Sequence, residues 1–136
     1  MKQIILYSLY VGAGGLIGAT ARYLCTLLFL KYSITFPLGT LLSNIVGCFI
    51  IGVIIQIATG TEILSPEARL FLATGFCGGL TTMSSFVYET SQFMNDGEYF
   101  HASVYFLLTL IISFVAFLTG SILIKLIMKY GGQHGT

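Results

Sequence analysis

The stretch Gly75-Phe76-Cys77-Gly78-Gly79-Leu80-Thr81-Thr82-Met83-Ser84-Ser85-Phe86 limits most severely what this chain can fold into. It sits in the middle of an apolar segment long enough to cross a bilayer. Yet it packs three glycines and four hydroxyl residues into twelve positions. Glycine and threonine are poor helix formers, so the segment reads as a helix that breaks and restarts. At bilayer depth, a break frees backbone groups that lipid cannot satisfy. It survives only where protein, an ion or water satisfies them.

The rest of the chain supplies the membrane protein around that break. Of its 136 residues, 56% are hydrophobic and 8% are charged, where soluble domains carry about 25% charge. Four apolar segments run over about residues 4–30, 38–58, 67–94 and 100–128, followed by a short tail, 129–136. Each is long enough to span. The expectation is an all-α integral membrane protein, one domain over 1–136, with four transmembrane helices and the third broken at its centre. It is placed as a multi-pass protein of the cell membrane. The first segment is too long for a signal peptide and lacks a small-residue cleavage motif, so it is expected to be retained.

Several function classes drop out. A net charge of +1 without a basic patch gives no reason to expect nucleic acid. Cys25, Cys48 and Cys77 fall in apolar segments without a CxxC spacing and read as small core hydrophobes. His101 and His134 have no acidic or cysteine partner at ligand spacing. Thr81, Ser84 and Ser85 have no nearby base. The glycines match no phosphate-binding pattern. An enzyme is not expected.

What remains is a set of polar groups on apolar helices. Gly14 and Gly18 share one helix face and allow a close helix neighbour. Arg22 has two readings: a side chain snorkelling to the headgroups, or a cation at the mouth of an anion path. Asn44 also has two: an interhelical hydrogen bond, or a donor to a passing anion. Ser65 and Pro66 form a helix start, and Asn95-Asp96-Gly97 a turn. Glu89, one turn beyond Ser85 and Phe86, marks a solvated vestibule. Tyr105, Thr109 and Ser113, four apart, stack three hydroxyls on one face. With Asn44, Thr81, Thr82, Ser84 and Ser85, these three hydroxyls form a set of neutral donors, accompanied by the rings of Phe86 and Tyr88. Such donors suit an ion that must shed water yet be released, and an aromatic edge favours an anion. The reading is a permeation path. Lys2, Arg69, Lys125 and Lys129 against Arg22 and Lys31 give a four-to-two bias. That weakly favours cytoplasmic termini and leaves dual insertion open.

Three motifs resemble the Fluc/CrcB fluoride channel family. They are Gly14-Gly15-Leu16-Ile17-Gly18-Ala19-Thr20-Ala21-Arg22-Tyr23; Pro37-Leu38-Gly39-Thr40-Leu41 with Asn44 and Gly47; and Gly75-Phe76-Cys77-Gly78-Gly79-Leu80-Thr81-Thr82. The resemblance covers nearly the whole chain. It implies an antiparallel, dual-topology dimer with two pores, giving passive fluoride efflux that lowers cytoplasmic fluoride. It also implies a structural Na+ at the dimer centre, held by backbone carbonyls of the helix break at positions matching Gly78 and Thr81, which places the break at Gly78 to Thr81. On the fluoride path it implies Asn44, Thr82, Met83, Ser84, Phe86, Tyr105, Thr109 and Ser113, with Arg22 and Glu89 towards the vestibules. One position departs: Met83 stands where the family pattern has a phenylalanine. A homodimer comes first, with a heterodimer of related chains as the second option. The competing reading is a proton-coupled, small multidrug-type cation exporter using Glu89. A third is a non-transporting membrane subunit.

Overall fold

The computed structural model describes residues 1–131, and within them every regular element is a helix, without a strand. His134 and the end of the expected tail lie outside the described residues. Four spans are long and apolar enough to cross a membrane. Helix α1 covers Lys2–Phe29 and ends in a tighter turn at Leu30–Tyr32. Helix α2 covers Leu38–Gly60. The third span, Pro66–Asn95, consists of two helices. The first, α3, occupies 66–80, and the second, α4, is Met83–Asn95. Helix α5 covers Tyr99–Gly131, so Lys129 to Gly131 continue the helix into the stretch read as tail.

Local chemistry accounts for the ends. The Ser65 hydroxyl accepts the Ala68 N–H at 3.2 Å, with Pro66 in the first turn, which starts α3. Gly97, at φ 78°, makes the tight turn between α4 and α5 that the Asn-Asp-Gly run predicts.

The third span departs from an ideal helix earlier than its glycines suggest. Leu70–Cys77 is widened to a π-helix, with Pro66–Arg69 and Gly78–Leu80 as α-helical turns on either side. The expectation put the break at Gly78 to Thr81. Gly78–Leu80 instead stay helical, and the chain leaves the helix at Thr81 and Thr82. A glycine lowers helix propensity without forcing an exit, whereas both threonines adopt extended backbone. The axis bends by only 16° at 81–82, so the two halves stay nearly collinear. Thirteen residues of α4 rise about 20 Å, less than the roughly 30 Å of a hydrocarbon core. The break therefore falls at bilayer depth.

Two glycine seams bring the spans together. Gly14 and Gly18 of α1 lie against α3 so closely that an added Cβ would strike the carbonyl oxygens of Phe71 and Phe76. Gly75 and Gly79 meet α1 in the same way, at Val11 and Gly15. This is the close approach expected of Gly14 and Gly18. The second seam joins α2 and α5, where Gly52 faces the Phe117 carbonyl and Gly120 faces that of Phe49. Small residues let helix backbones touch where lipid offers no hydrophobic drive for association.

Candidate functional site

The site begins at the break. Thr81 (φ −78°, ψ 154°) and Thr82 (φ −149°, ψ 116°) are extended; the Thr81 N–H makes the last i→i−4 bond of α3, and Thr82 leaves the ladder. Asn44 of α2 takes the ladder's place. Its Nδ2 donates to the Thr82 carbonyl at 3.2 Å, and its Oδ1 accepts the Thr82 N–H at 2.7 Å. One amide thus satisfies both backbone groups of the break residue, as a paired strand would. Of the two readings of Asn44, the interhelical bond is present, and one Nδ2 hydrogen remains for another acceptor.

On the restart side, the Thr82 hydroxyl accepts the Ser85 N–H at 3.2 Å and caps α4. It also lies 3.2 Å from the Ser84 hydroxyl and 3.1 Å from that of Ser85. On the ending side, the N–H and hydroxyl of Thr81 both donate to the Cys77 carbonyl at 2.9 Å. Arg22 Nε donates to the Gly79 carbonyl at 3.1 Å. Arg22 was read as snorkelling outwards or standing at a mouth. It is half-buried and caps the C-terminal end of α3, where a cation is favoured. Among the described residues, no hydrogen bond between elements ends on the carbonyls of Gly78 or Thr81. An added Cβ at Gly78 would meet nothing within 4 Å, so this face of the chain is open.

Beside the break, a cleft of about 210 Å³ is lined by Asn44, Cys48, Thr81, Thr82, Met83, Phe86, Thr109, Leu110 and Ser113. The hydroxyls of Thr109 and Ser113 are buried within it without a hydrogen-bond partner among the described residues. The Ser43 hydroxyl is likewise buried and unpaired. Leaving a buried donor unmade costs about 1–3 kcal/mol, so these groups suit a polar species held in the cleft. Phe86 is 1% exposed, stacked on Phe106 at 5.4 Å and tilted against Tyr105 at 5.5 Å. Met83 also lines the cleft and is 66% exposed. Ser84 is exposed and outside the lining.

Tyr105 belongs to a neighbouring cluster. Its hydroxyl donates to Glu89 Oε2 at 2.6 Å, and the Thr40 hydroxyl donates to Oε1 at 2.6 Å. The spacing of Tyr105, Thr109 and Ser113 put them on one face, and the structure divides that face between two sites. Glu89 was read as marking a solvated vestibule. It is half-buried and held between α2 and α5, because a carboxylate at this depth needs donors. Phe36 stacks on Tyr105 at 6.0 Å and Phe93 meets it edge-on at 5.9 Å. Towards the helix start, His101 Nδ1 lies 3.3 Å from Glu98 Oε2, so His101 does have an acidic neighbour, three residues earlier in the chain, which the reading of the sequence passed over. Sequence reasoning did not assign Thr40, Ser43, Cys48, Phe106, Phe36 or Phe93 to a site. Thr40 and Cys48 were within reach, being four residues before and after Asn44 and so on its helix face.

Comparison with known proteins gives consistent similarities. Residues 9–121 match the family model described as "CrcB-like protein, Camphor Resistance (CrcB)". A relative from Chlorobium luteolum, named "Fluoride-specific ion channel FluC", is 50% identical over 117 residues, which is 86% of this chain and 91% of the relative. Relatives of the same name from Chlorobaculum tepidum (45% over 126 residues, 93% of this chain and 97% of the relative) and Clostridium novyi (42% over 128 residues, 93% and 99%) match over nearly their whole lengths.

Proposed function

This chain belongs to the CrcB family, and on that premise we propose that it is a fluoride-selective channel allowing passive fluoride efflux and so lowering cytoplasmic fluoride. The observation that carries the proposal is the cleft at the break: buried Thr109 and Ser113 hydroxyls without partners among the described residues, next to the spare Asn44 N–H, at bilayer depth. These are neutral donors. They can replace part of an anion's hydration shell without the charge that would hold it fast. Phe86 stands beside them, and a ring edge adds a weak positive surface. Met83 offers the same bulk without that edge.

We propose further that two copies associate in antiparallel fashion and share a structural Na+. The carbonyls of Gly78 and Thr81 fit such a group. They are oxygen donors of the kind a hard cation takes, they lack partners among the described residues, and Gly78 opens on space that a second copy could enter. When bound, the ion would neutralise the partial negative charge of these carbonyls. The chain's own part is to hold the backbone next to them: Arg22 fixes the Gly79 carbonyl and Asn44 fixes Thr82.

The test is efflux from liposomes reconstituted with this chain alone. Fluoride is expected to leave far faster than chloride. Equal rates would remove selectivity, and no flux from the single chain would turn the proposal towards a heterodimer. Replacing external Na+ with a large organic cation should weaken association of the two copies in detergent, read by sedimentation.

A further inference from the structure

We propose that the cleft at the break also binds a soft d10 monocation, such as silver(I) or copper(I), between the Cys48 thiolate and the Met83 thioether. Both sulfur residues line the cleft, and they come from different elements. Cys48 is one turn beyond Asn44 on α2, and Met83 is the first residue of α4. Thiolate and thioether ligands select soft ions of this class. A separate observation points into the same space: the hydroxyl of Thr109, a residue 3% exposed, has no partner among the described residues and offers oxygen lone pairs for a weak third contact. Among the described residues no carboxylate or imidazole lines the cleft, so divalent ions that prefer anionic oxygen or imidazole nitrogen find only neutral oxygens there.

Binding needs no change of oxidation state. Cys48 gives its S–H proton to water and bonds the metal as a thiolate. Met83 contributes a sulfur lone pair without losing a proton, and the ion sheds its water. A metal held there lies beside Asn44 and Ser113 and obstructs the cleft. That obstruction stops fluoride only if the cleft is the fluoride path, so this consequence rests on the channel reading. The binding itself does not.

The experiment uses the full chain in detergent and in nitrate buffer, because silver chloride is insoluble whereas silver nitrate and silver fluoride dissolve. Cys25→Ser with Cys77→Ala leaves Cys48 as the sole thiol. If the double variant is not recovered folded, Cys25→Ser alone is the background. Silver nitrate titration, followed by desalting and elemental analysis, is expected to give one silver per chain removed by Cys48→Ser. Met83→Leu, at an exposed position that tolerates the change, should weaken affinity at least about tenfold. Tight binding that survives Cys48→Ser, or an affinity unmoved by Met83→Leu, overturns the site. In liposomes, silver should slow fluoride efflux, with each variant scored against its own silver-free rate, and Cys48→Ser should abolish that slowing. If the wild-type chain passes no fluoride at all, the channel reading falls, while the titration still decides the metal site.

Discussion

The two halves of the third span share one axis and do opposite things with it. In α3, the contact surface is backbone. Gly75 and Gly79 press against α1, and the widened helix ends on a carbonyl held by Arg22. In α4, the contact surface is side chain. Thr82 caps the start, Phe86 fills the space against α5, and Glu89 collects hydroxyls from two other helices. The first half is therefore positioned by what it lacks and the second by what it carries. Substitutions should divide accordingly, with added bulk damaging α3 and lost polar groups damaging α4.

The largest effect is expected in α3. Gly75→Val or Gly79→Val drives a branched side chain into backbone that cannot move aside, at a cost of about 3 kcal/mol or more. Little monodisperse protein should be recovered by size exclusion. Gly78→Ala breaks the comparison if it behaves the same way. Its Cβ meets nothing within 4 Å, so the chain should fold, and only association with a second copy should suffer.

Next comes Asn44→Ala, which strands both backbone groups of Thr82. Roughly 2 kcal/mol of stability should disappear, visible as a lower unfolding temperature in detergent, with slower fluoride efflux. Glu89→Gln should cost about 1 kcal/mol by removing the charge that strengthens the bonds from Thr40 and Tyr105. The same variant addresses the exporter reading. Cation uptake driven by a pH gradient and abolished by Glu89→Gln would replace the channel proposal.

Smaller still is Arg22→Gln, which can keep a bond to Gly79 but loses the favourable charge at a helix end, worth less than about 1 kcal/mol. Met83→Phe should leave stability unchanged and raise the fluoride efflux rate by adding a ring edge at the cleft. An unchanged rate would take that position out of the path.

Much of this was legible in the sequence because membrane helices announce themselves by apolar length, and a break announces itself by clustered glycine and hydroxyl residues. The Gly14–Gly18 seam was legible for the same reason: close approach needs small residues at one-turn spacing. The partners were not. Arg22 and Gly79 are 57 residues apart, and Asn44 and Thr82 are 38 apart. No local pattern states which distant backbone group an amide or guanidinium will reach. Glu89 illustrates the same limit. A carboxylate near a helix end reads as solvated until the hydroxyls of Thr40 and Tyr105 are seen to close on it. The π-helix at Leu70–Cys77 left no mark either, since its residues differ little from those of an apolar α-helix.

That widened stretch sets the rotational phase of everything after it. A π-bulge accommodates an extra residue per turn, and one residue of α-helix corresponds to about 100° of rotation. The angular position of Thr81, Thr82 and all of α4 is thus determined upstream, by how Leu70–Cys77 is wound. Removing one residue there would shorten the span by a small step while turning the face that carries Phe86 and Glu89 away from α2 and α5. The stretch acts as an indexing mechanism: it packs against α1, and its winding fixes which side chains of α4 point towards the cleft.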